Sequence, residues 1–474
     1  MSTRITPNFP LFPCLLLPIL FISLTLRSWS AERPNIIFIL ADDLGYGDLS
    51  CYGQEKFETP HIDKLAENGM LFTDHYSGSA VCAPARSSLL TGLHTGRTPI
   101  RGNAERFPEG QVPLPASTFT VGHFLQRYGY KTGVFGKWGL GYPGSEGDPL
   151  QMGFDRFYGY NCQRMAHSYY PAWLWDDDQR EYLWGNTRSF QKQDYAPDFI
   201  HKEVLNFISD NQENPFFIYY AAVQPHADMD APDEAIAEFR GKFPGEKPEP
   251  EGYYIGQEEP YAAFAAMVTI LDNYVGDLVS ELERLGIAED TLIIFSSDNG
   301  PHDEGGADPE YFNSNGKFRG IKRDLYEGGV RVPMIAHWPG RISPGSVSDH
   351  PSAFWDFFPT VADLLKKPVQ APMDGLSFVP TLLNEGQQEQ HRYLYWEFPQ
   401  RDGRVAVRAG KWKAVRYKLK HKNPGAFELY DLENDPGETV NLATDHPEIV
   451  KTMQAYIEEA HTPTTYPQFT LDVN

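Results

Sequence analysis

The sequence has few basic residues. It contains 41 Lys and Arg against 64 Asp and Glu in 474 residues, which gives a formal net charge of −23. Non-specific nucleic-acid binding requires basic stripes, so we expect no nucleic-acid partner. An anionic substrate would have to be held by a local cluster of cations against the field of the whole chain. The hydrophobic share of 41% is ordinary for a globular protein with a sizeable core.

Long apolar runs are also scarce. One such run, within residues 11–26, is broken by Pro13 and Pro18 and is short for a transmembrane helix. With Arg4 before it and small residues after it, this run predicts a signal peptide over residues 1–30. We therefore expect a secreted or periplasmic protein without a membrane anchor, since no later stretch looks long and apolar enough to span.

Cysteines are few as well. Three of the four follow residue 30, and an odd number in an exported chain implies one unpaired or specially used thiol. Cys51 and Cys162 could form a disulfide, which leaves Cys82 as the odd one out. Cys82 precedes Pro84, which suits the first turn of a helix, so the helix start would favour an anion beside the thiol. Arg86 would add a forked set of donors for an oxyanion. The alternative is a buried structural cysteine.

Acidic and amide side chains follow two predicted buried strands. Asp42 and Asp43 come after one apolar run, and Asp298 and Asn299 come after another. The carboxyl ends of strands are where open α/β sheets bind ligands. A hard divalent cation with oxygen ligands is the usual partner of such paired carboxylates. The sequence thus predicts a shared metal site, although each pair alone could be a solvated turn.

Three further segments complete the predicted organisation. Lys137 ends a predicted strand among glycines, which let a ligand approach closely. Residues 142–195 are rich in Tyr, Trp, Gly and Asp, which suits a loop that stacks on sugars or an aromatic cluster that covers a sheet edge. Short alternating strands and a closing helix predict a small antiparallel domain over 386–474. The preceding residues, 31–385, are predicted to form the catalytic α/β domain.

Five elements, in this order along the chain, resemble the motifs of the formylglycine-dependent sulfatases of the alkaline-phosphatase superfamily. They are Asp42-Asp43, Cys82-Ala83-Pro84-Ala85-Arg86 with Thr91-Gly92, Gly136-Lys137-Trp138, Asp298-Asn299-Gly300, and Lys322 ahead of the run from Tyr326 to Pro333. One such motif is a weak indication, but five in order on a matching α/β pattern are specific. The resemblance implies a large mixed sheet flanked by helices, with a smaller C-terminal domain made of an antiparallel sheet and a helix.

The resemblance also implies the chemistry of the site. Cys82 would be oxidised by a formylglycine-generating enzyme, and the hydrated aldehyde would attack the sulfur of a sulfate ester. One Ca²⁺ would be bound by Asp42, Asp43, Asp298, Asn299 and residue 82. The other implied roles are a contact of Arg86 with the formylglycine, sulfate binding by Lys137 and Lys322, and protonation of the leaving oxygen by His226.

The chain departs from the family pattern at Gly139, where many relatives carry a histidine that contacts the formylglycine and the sulfate. His167 is our candidate for a substitute, and His302 stands behind it. Arg164 is a further candidate for substrate contact. Each of these three residues could equally be an ordinary loop residue.

We expect hydrolysis of sulfated carbohydrates, because the chain has an export signal and an aromatic segment. One alternative is a phosphoester or phosphonate hydrolase on the same fold, although a single calcium with two lysines favours the monoanionic sulfate ester. The other alternative is an inactive sugar-binding relative, which Gly139 alone supports. The sugar, the position of the sulfate and endo or exo action stay open at this point.

Overall fold

The computed structural model describes residues 1–4, 33–187 and 192–473, so nearly all of the predicted signal peptide, with Cys14, lies outside the described residues. The strands are β1 (Asn35–Ala41), β2 (Met70–Phe72), β3 (His75–Tyr76), β4 (Lys131–Lys137), β5 (Arg156–Tyr160), β6 (Trp173–Asp176), β7 (Gln179–Tyr182), β8 (Phe216–Ala221), β9 (Thr291–Ser297), β10 (Met334–His337), β11 (Ser346–Ser348), β12 (Ser352–Ala353), β13 (Leu394–Phe398), β14 (Arg404–Ala409), β15 (Trp412–Tyr417) and β16 (Glu428–Asp431). The helices are α1 (Pro60–Glu67), α2 (Cys82–Thr91), α3 (Val121–Arg127), α4 (Trp184–Thr187), α5 (Ala196–Asp210), α6 (Asp233–Phe239), α7 (Pro260–Leu285), α8 (Pro309–Phe312), α9 (Glu327–Val330), α10 (Phe357–Leu364), α11 (Val379–Leu383) and α12 (Pro447–Ala460).

Ten strands form one mixed sheet in the order β11-β2-β10-β9-β1-β8-β4-β5-β6-β7. Its centre is parallel, because β1 pairs with β8 and β9, and β4 pairs with β8 and β5. The strands β1, β8 and β9 are mainly apolar and buried on both faces, as predicted for a parallel sheet. Ala41 lies opposite Ser297, and Leu40 lies opposite Ala221. The carboxyl ends of these three strands therefore lie side by side.

Helices cover both faces of this sheet. Alternate side chains of β1 enter two cores, since Ile37 and Ile39 belong to the one that includes α1, α5 and α7, and Ile36 and Phe38 to the one that includes α2, α3 and α10. By length and composition α7 could cross a membrane, so the expectation that no later stretch is long and apolar enough is wrong. However, 67% of its most apolar window is buried inside the protein, as in the core helix of a globular fold.

The aromatic segment 142–195 is more regular than the sequence predicts. Its strands β5, β6 and β7 extend the main sheet, with β5 parallel to β4 and the next two antiparallel. Tyr158 and Tyr160 are buried in one core and Phe157 in the other. The segment is therefore largely the end of a sheet, which agrees with the structural alternative, and only part of it reaches the site described below.

The C-terminal part contains a four-stranded antiparallel sheet, β13-β14-β15-β16, against which α12 packs through Ile457. Buried ion pairs join this sheet to the larger part. Arg408 donates to Asp74 over 2.8 Å, and Lys413 Nζ lies 2.8 Å from Glu327. The predicted antiparallel sheet and helix are thus present, while the boundary at residue 386 stays a prediction.

Candidate active site

The predicted acidic residues meet at the carboxyl ends of β1 and β9. The amide of Asp43 donates to Asp298 Oδ1 over 3.1 Å, and Asn299 Nδ2 donates to Asp43 Oδ1 over 2.7 Å. Asp42 lies beside them, with its Oδ1 3.5 Å from the sulfur of Cys82. All five of these residues are buried, because the parallel register brings the two strand ends together.

This cluster fits a hard divalent cation. Asn299 Oδ1 is buried and has no hydrogen-bond partner among the residues that the structure describes, so an acceptor oxygen is free to ligate. Ligand atoms of Asp42, Asp43, Cys82 and His226 lie within 4.8 Å of one another. Burial, followed by the charge of Asp42, raises the pKa of Asp298 to about 7. A bound cation would favour the ionised form of that carboxyl group and supply the missing partner of the amide oxygen.

Two cations compensate the carboxylates from within the protein. Arg86 Nη2 lies 2.7 Å from Asp298 and 3.6 Å from Asp42, and its other nitrogen, Nη1, donates to the carbonyl oxygen of Lys137 over 2.5 Å. Lys137 Nζ lies 2.6 Å from Asp42 Oδ2 and 3.4 Å from the sulfur of Cys82. Both side chains are fully buried, so removing either would leave an uncompensated charge.

Cys82 is the first residue of α2, as predicted, and its side chain is buried. Burial raises the pKa of the Cys82 thiol well above its usual value, although the charge of Lys137 opposes this. The unmodified thiol is therefore a poor nucleophile at neutral pH. Within the described ranges Cys51 and Cys162 are also free thiols, so the disulfide that the sequence left open is not formed.

Lys322 and His226 occupy the other side of Asp43. Lys322 Nζ lies 2.6 Å from Asp43 Oδ2, 3.1 Å from His226 Nε2 and 3.1 Å from Glu304 Oε2. Burial, and after it the charge of Lys322, holds the pKa of His226 well below its usual value. Burial raises the pKa of Asp43, but nearby positive charge, that of Lys322 first, outweighs this effect and holds the pKa well below its usual value. His226 is thus a neutral ring next to an ammonium group.

A cavity of about 280 Å³ opens over this cluster. It is lined by Cys82, Lys322, His226, His167 and Arg164 of the predicted site, and also by residues that the sequence did not indicate. Among the latter are Gln163, Glu304, Arg323, Tyr253 and Tyr254. Gln163 lies in the segment 142–195 that the sequence indicated as a possible sugar-binding loop, whereas Glu304, Tyr253 and Tyr254 come from loops without a periodic pattern or a family motif.

The three further candidates from the sequence, His167, His302 and Arg164, differ in their position relative to the cavity. His167 stacks on His226, with ring centroids 4.8 Å apart, and Arg164 lines the mouth of the cavity with its side chain 45% exposed. His302 is buried behind His226, at a centroid distance of 5.9 Å, and pairs with the carbonyl oxygen of Pro225. Of the three, His302 does not line the cavity in the described part of the chain.

Gln163 is the neighbour of Gly139. An ideal Cβ on Gly139 would lie 2.1 Å from Gln163 Nε2, and the backbone of Gly139 has a φ of +73°. Both polar atoms of the Gln163 amide are buried without a hydrogen-bond partner in the residues described. The glutamine therefore fills the space next to Gly139 and lines the cavity with an unused donor and acceptor.

Comparisons with known proteins agree with this geometry. A family model described as Sulfatase matches residues 34–367, and one described as N-sulphoglucosamine sulphohydrolase, C-terminal, matches residues 317–462. Human arylsulfatase A is 35% identical over 461 residues, covering 87% of this chain and 84% of that protein. The N-acetylgalactosamine-6-O-sulfatase of Bacteroides thetaiotaomicron is 30% identical over 506 residues. The match covers 91% of this chain and 94% of that protein.

Among solved structures, that of Ps i-CgsB in complex with k-i-k-neocarrahexaose matches with a TM-score of 0.76 and 27% identity, covering 90% of this chain and 92% of that one. The fold and the matched relatives thus define a sulfuric ester hydrolase. The chain belongs to the sulfatase family.

Proposed function

We propose that the protein removes sulfate from sulfated carbohydrates outside the cytoplasm, in the periplasm or after secretion. One observation carries the proposal: Cys82, Lys322 and His226 face one cavity, next to a buried set of carboxylate and amide oxygens. The overall reaction uses one water, whose oxygen goes to sulfur, while the ester oxygen leaves as an alcohol with one proton.

Two groups complete the site in this proposal. Oxidation of Cys82 by a formylglycine-generating enzyme would break its C–S bond, release the sulfur as sulfide and pass two electrons to an oxidant such as dioxygen, and the hydrate of the resulting aldehyde would be the nucleophile. Asp42, Asp43, Asp298 and Asn299 hold one Ca²⁺, which when bound polarises the sulfate oxygens. The unpartnered oxygen of Asn299 and the raised pKa of Asp298 support a cation at this position.

The chain's own residues bind the sulfate and move the proton. Lys137 and Lys322 donate to the sulfate oxygens, where negative charge grows as the ester bond breaks. Arg86 orients residue 82 through Asp42, which lies 3.6 Å from the guanidinium group and 3.5 Å from the sulfur of Cys82. We assign protonation of the leaving oxygen to His226, whose ring is neutral beside the ammonium of Lys322 in the free protein and takes up a proton when the negative charge of a bound sulfate ester favours its charged form.

Gln163 takes the place of the histidine that many relatives carry at the position of Gly139. Its amide is the buried donor next to Gly139 that still has an unused hydrogen. We assign to it a contact with the sulfate or with a hydroxyl beside it. This assignment removes the observation that favoured an inactive sugar-binding relative, because the site is not empty at Gly139.

Two of the matched relatives support a sugar substrate. One is an N-acetylgalactosamine-6-O-sulfatase, and one matched structure holds a neocarrahexaose. We therefore propose a sulfated sugar of the galactose type. The test is a panel of sulfated monosaccharides, with an aryl sulfate and an aryl phosphate beside them. Release of sulfate only from aryl or lipid sulfates contradicts the carbohydrate assignment, and faster release of phosphate contradicts the choice of ester.

The nucleophile is tested on the protein itself. The peptide that contains residue 82 should be lighter by about 18 Da than the unmodified cysteine peptide, because the thiol sulfur and two hydrogens are replaced by one oxygen. The Cys82→Ala variant should release no sulfate. Fully active enzyme with an unmodified cysteine at residue 82 contradicts the mechanism.

A further inference from the structure

A second cavity adjoins the one over Cys82. Its volume is about 320 Å³, and Arg164, His167, Tyr253 and Tyr254 line both cavities. The two spaces therefore share one wall of side chains. A molecule anchored at Cys82 could extend past this wall into the second cavity without leaving the protein surface.

The shared wall is aromatic. His167 stacks on His226 and lies 5.4 Å from the ring of Tyr254, which meets Tyr253 edge to face at 5.0 Å. Tyr253 is 78% exposed, so most of its ring is open to solvent beside these neighbours. A flat apolar face of this kind suits the C–H face of a sugar ring. The hydroxyl group and the edge of the tyrosine ring would stay in contact with water.

The loop that carries Tyr253 is tied down. The amide of Ile255 donates to Asp228 Oδ1 over 3.1 Å, and the amide of Asp228 donates to the carbonyl oxygen of His167 over 3.0 Å. Glu249 and Gln257 exchange two backbone hydrogen bonds at the base of the loop. The backbone that carries Tyr253 is thus held in place before any ligand arrives, which lowers the entropy cost of binding.

The charge of the second cavity limits what it can hold. Asp228 and Glu251 line it, and Arg164 is the one Lys or Arg that does so among the described residues. Two carboxylates against one guanidinium disfavour a second anionic group. Carboxylate and guanidinium groups do, however, accept from and donate to the hydroxyls of a neutral sugar.

We propose that the second cavity binds the neutral sugar unit that is glycosidically linked to the sulfated one, with Tyr253 stacked on its apolar face. This inference rests on the proposed function and deepens it. The preferred substrate is then at least a disaccharide, and a neighbouring hexuronate or a second sulfate in this position weakens binding.

The experiment compares kcat/KM for three compounds that share the sulfated sugar selected by the monosaccharide panel. They are the monosaccharide, its disaccharide with a neutral galactose, and its disaccharide with a glucuronate. The neutral disaccharide should exceed the monosaccharide by about tenfold, the size of one stacking contact with its ordered partners. The glucuronate disaccharide should fall below the neutral one.

Variants connect this preference to the cavity. Tyr253→Ala should bring the ratio of neutral disaccharide to monosaccharide close to one, and Tyr253→Phe should keep it. Tyr182→Ala removes an exposed tyrosine of β7 that lines neither cavity, and it should leave the ratio unchanged. Glu251→Gln should raise turnover of the glucuronate disaccharide relative to the neutral one.

The contrary results are distinct from failure of the proposed function. Equal kcat/KM for monosaccharide and neutral disaccharide, a preference for the glucuronate compound, or a ratio that survives Tyr253→Ala overturns the inference. If no sulfated compound is hydrolysed, the proposed function fails. The galactosyl disaccharide of N-acetylgalactosamine 6-sulfate then decides the inference by saturation-transfer NMR on Cys82→Ala, where signals from the galactose ring should depend on Tyr253, and their absence overturns it.

Discussion

Gln163 lies where a side chain on Gly139 would have to lie. The amide nitrogen of the glutamine is 2.1 Å from the position of an ideal Cβ on the glycine, and the positive φ of the glycine strains any other residue there. The two positions therefore exclude each other: the chain has either a side chain at 139 or the glutamine at 163 in its present place. Gly139→Ala should displace Gln163 and lower turnover in the same way as removal of its amide.

Gln163→Ala should lower kcat/KM for a sulfate ester by about tenfold to a hundredfold, because one buried donor to an anionic group is lost. The melting temperature should change little, because the amide makes no hydrogen bond to the described part of the protein. Gln212→Ala, at an exposed position in the turn after α5, is the control. A large loss of stability with unchanged kcat/KM would show that Gln163 is structural.

Lys322→Met should lower kcat by about a hundredfold or more, because an ammonium group that faces developing negative charge is removed. It should also destabilise the protein, because Asp43 and Glu304 lose their shared partner while Asp43 stays fully buried. Lys317→Met, which removes an exposed lysine of the same segment, controls for the loss of charge. The measurements are kcat and the melting temperature of both variants. A near-normal kcat in Lys322→Met contradicts the role of Lys322 in sulfate binding.

Calcium should raise the melting temperature. A ligand that binds only the folded state adds about 2.7 kcal/mol to the free energy of unfolding when its free concentration is one hundred times its Kd. Differential scanning calorimetry with EGTA and with added Ca²⁺ measures this shift, which Asp298→Asn should reduce and Asp178→Asn, at an exposed position, should not. A melting temperature that is the same in EGTA and in Ca²⁺ contradicts the proposed site.

A pH effect on stability is expected at His391, which does not belong to the acidic cluster of the site. Burial lowers the pKa of His391, but the charge of Asp356, 2.8 Å away, outweighs it and raises the pKa above its usual value. Because the folded-state pKa is raised, the stabilisation is fully present below about pH 6.5 and is lost as the pH rises through the folded-state pKa. The wild type should therefore exceed His391→Asn in melting temperature by more at about pH 5.5 than at about pH 8.5.

His421→Asn, at an exposed position, is the control for that pH series. Its melting temperature should differ from that of the wild type by the same amount at each pH. A difference between wild type and His391→Asn that grows toward high pH would have the wrong sign for a raised pKa and would contradict the expected ion pair.

Much of the fold was predictable from the sequence. The buried strands β1, β8 and β9, the helix that begins at Cys82 and the small antiparallel sheet near the C-terminus all follow from apolar runs, alternation and capping residues. Segment 142–195 was not, because the strands β5–β7 mix aromatic and polar residues and take their conformation from pairing with β4 and with one another. Here the tertiary context overrides a weak local pattern.

The sequence by itself determined that Asp42, Asp43, Asp298 and Asn299 would meet, because side chains that follow parallel strands emerge at one edge of a sheet. It also indicated that Cys82 would begin a helix, because Pro84 suits the first turn of a helix. These are consequences of periodicity and short-range chemistry, which any stretch of chain carries with it.

Only the tertiary structure decided what surrounds that centre. Glu304 beside Lys322, Gln163 beside Gly139 and Tyr253 over the second cavity come from loops whose paths depend on long-range packing and on hydrogen bonds such as that from Ile255 to Asp228. No local pattern encodes those paths, because the free energy that fixes a loop comes from contacts with distant residues. The acidic cluster and Cys82 were thus determined by strand ends and a helix start, and the lining of the two cavities by the folding of the loops above them.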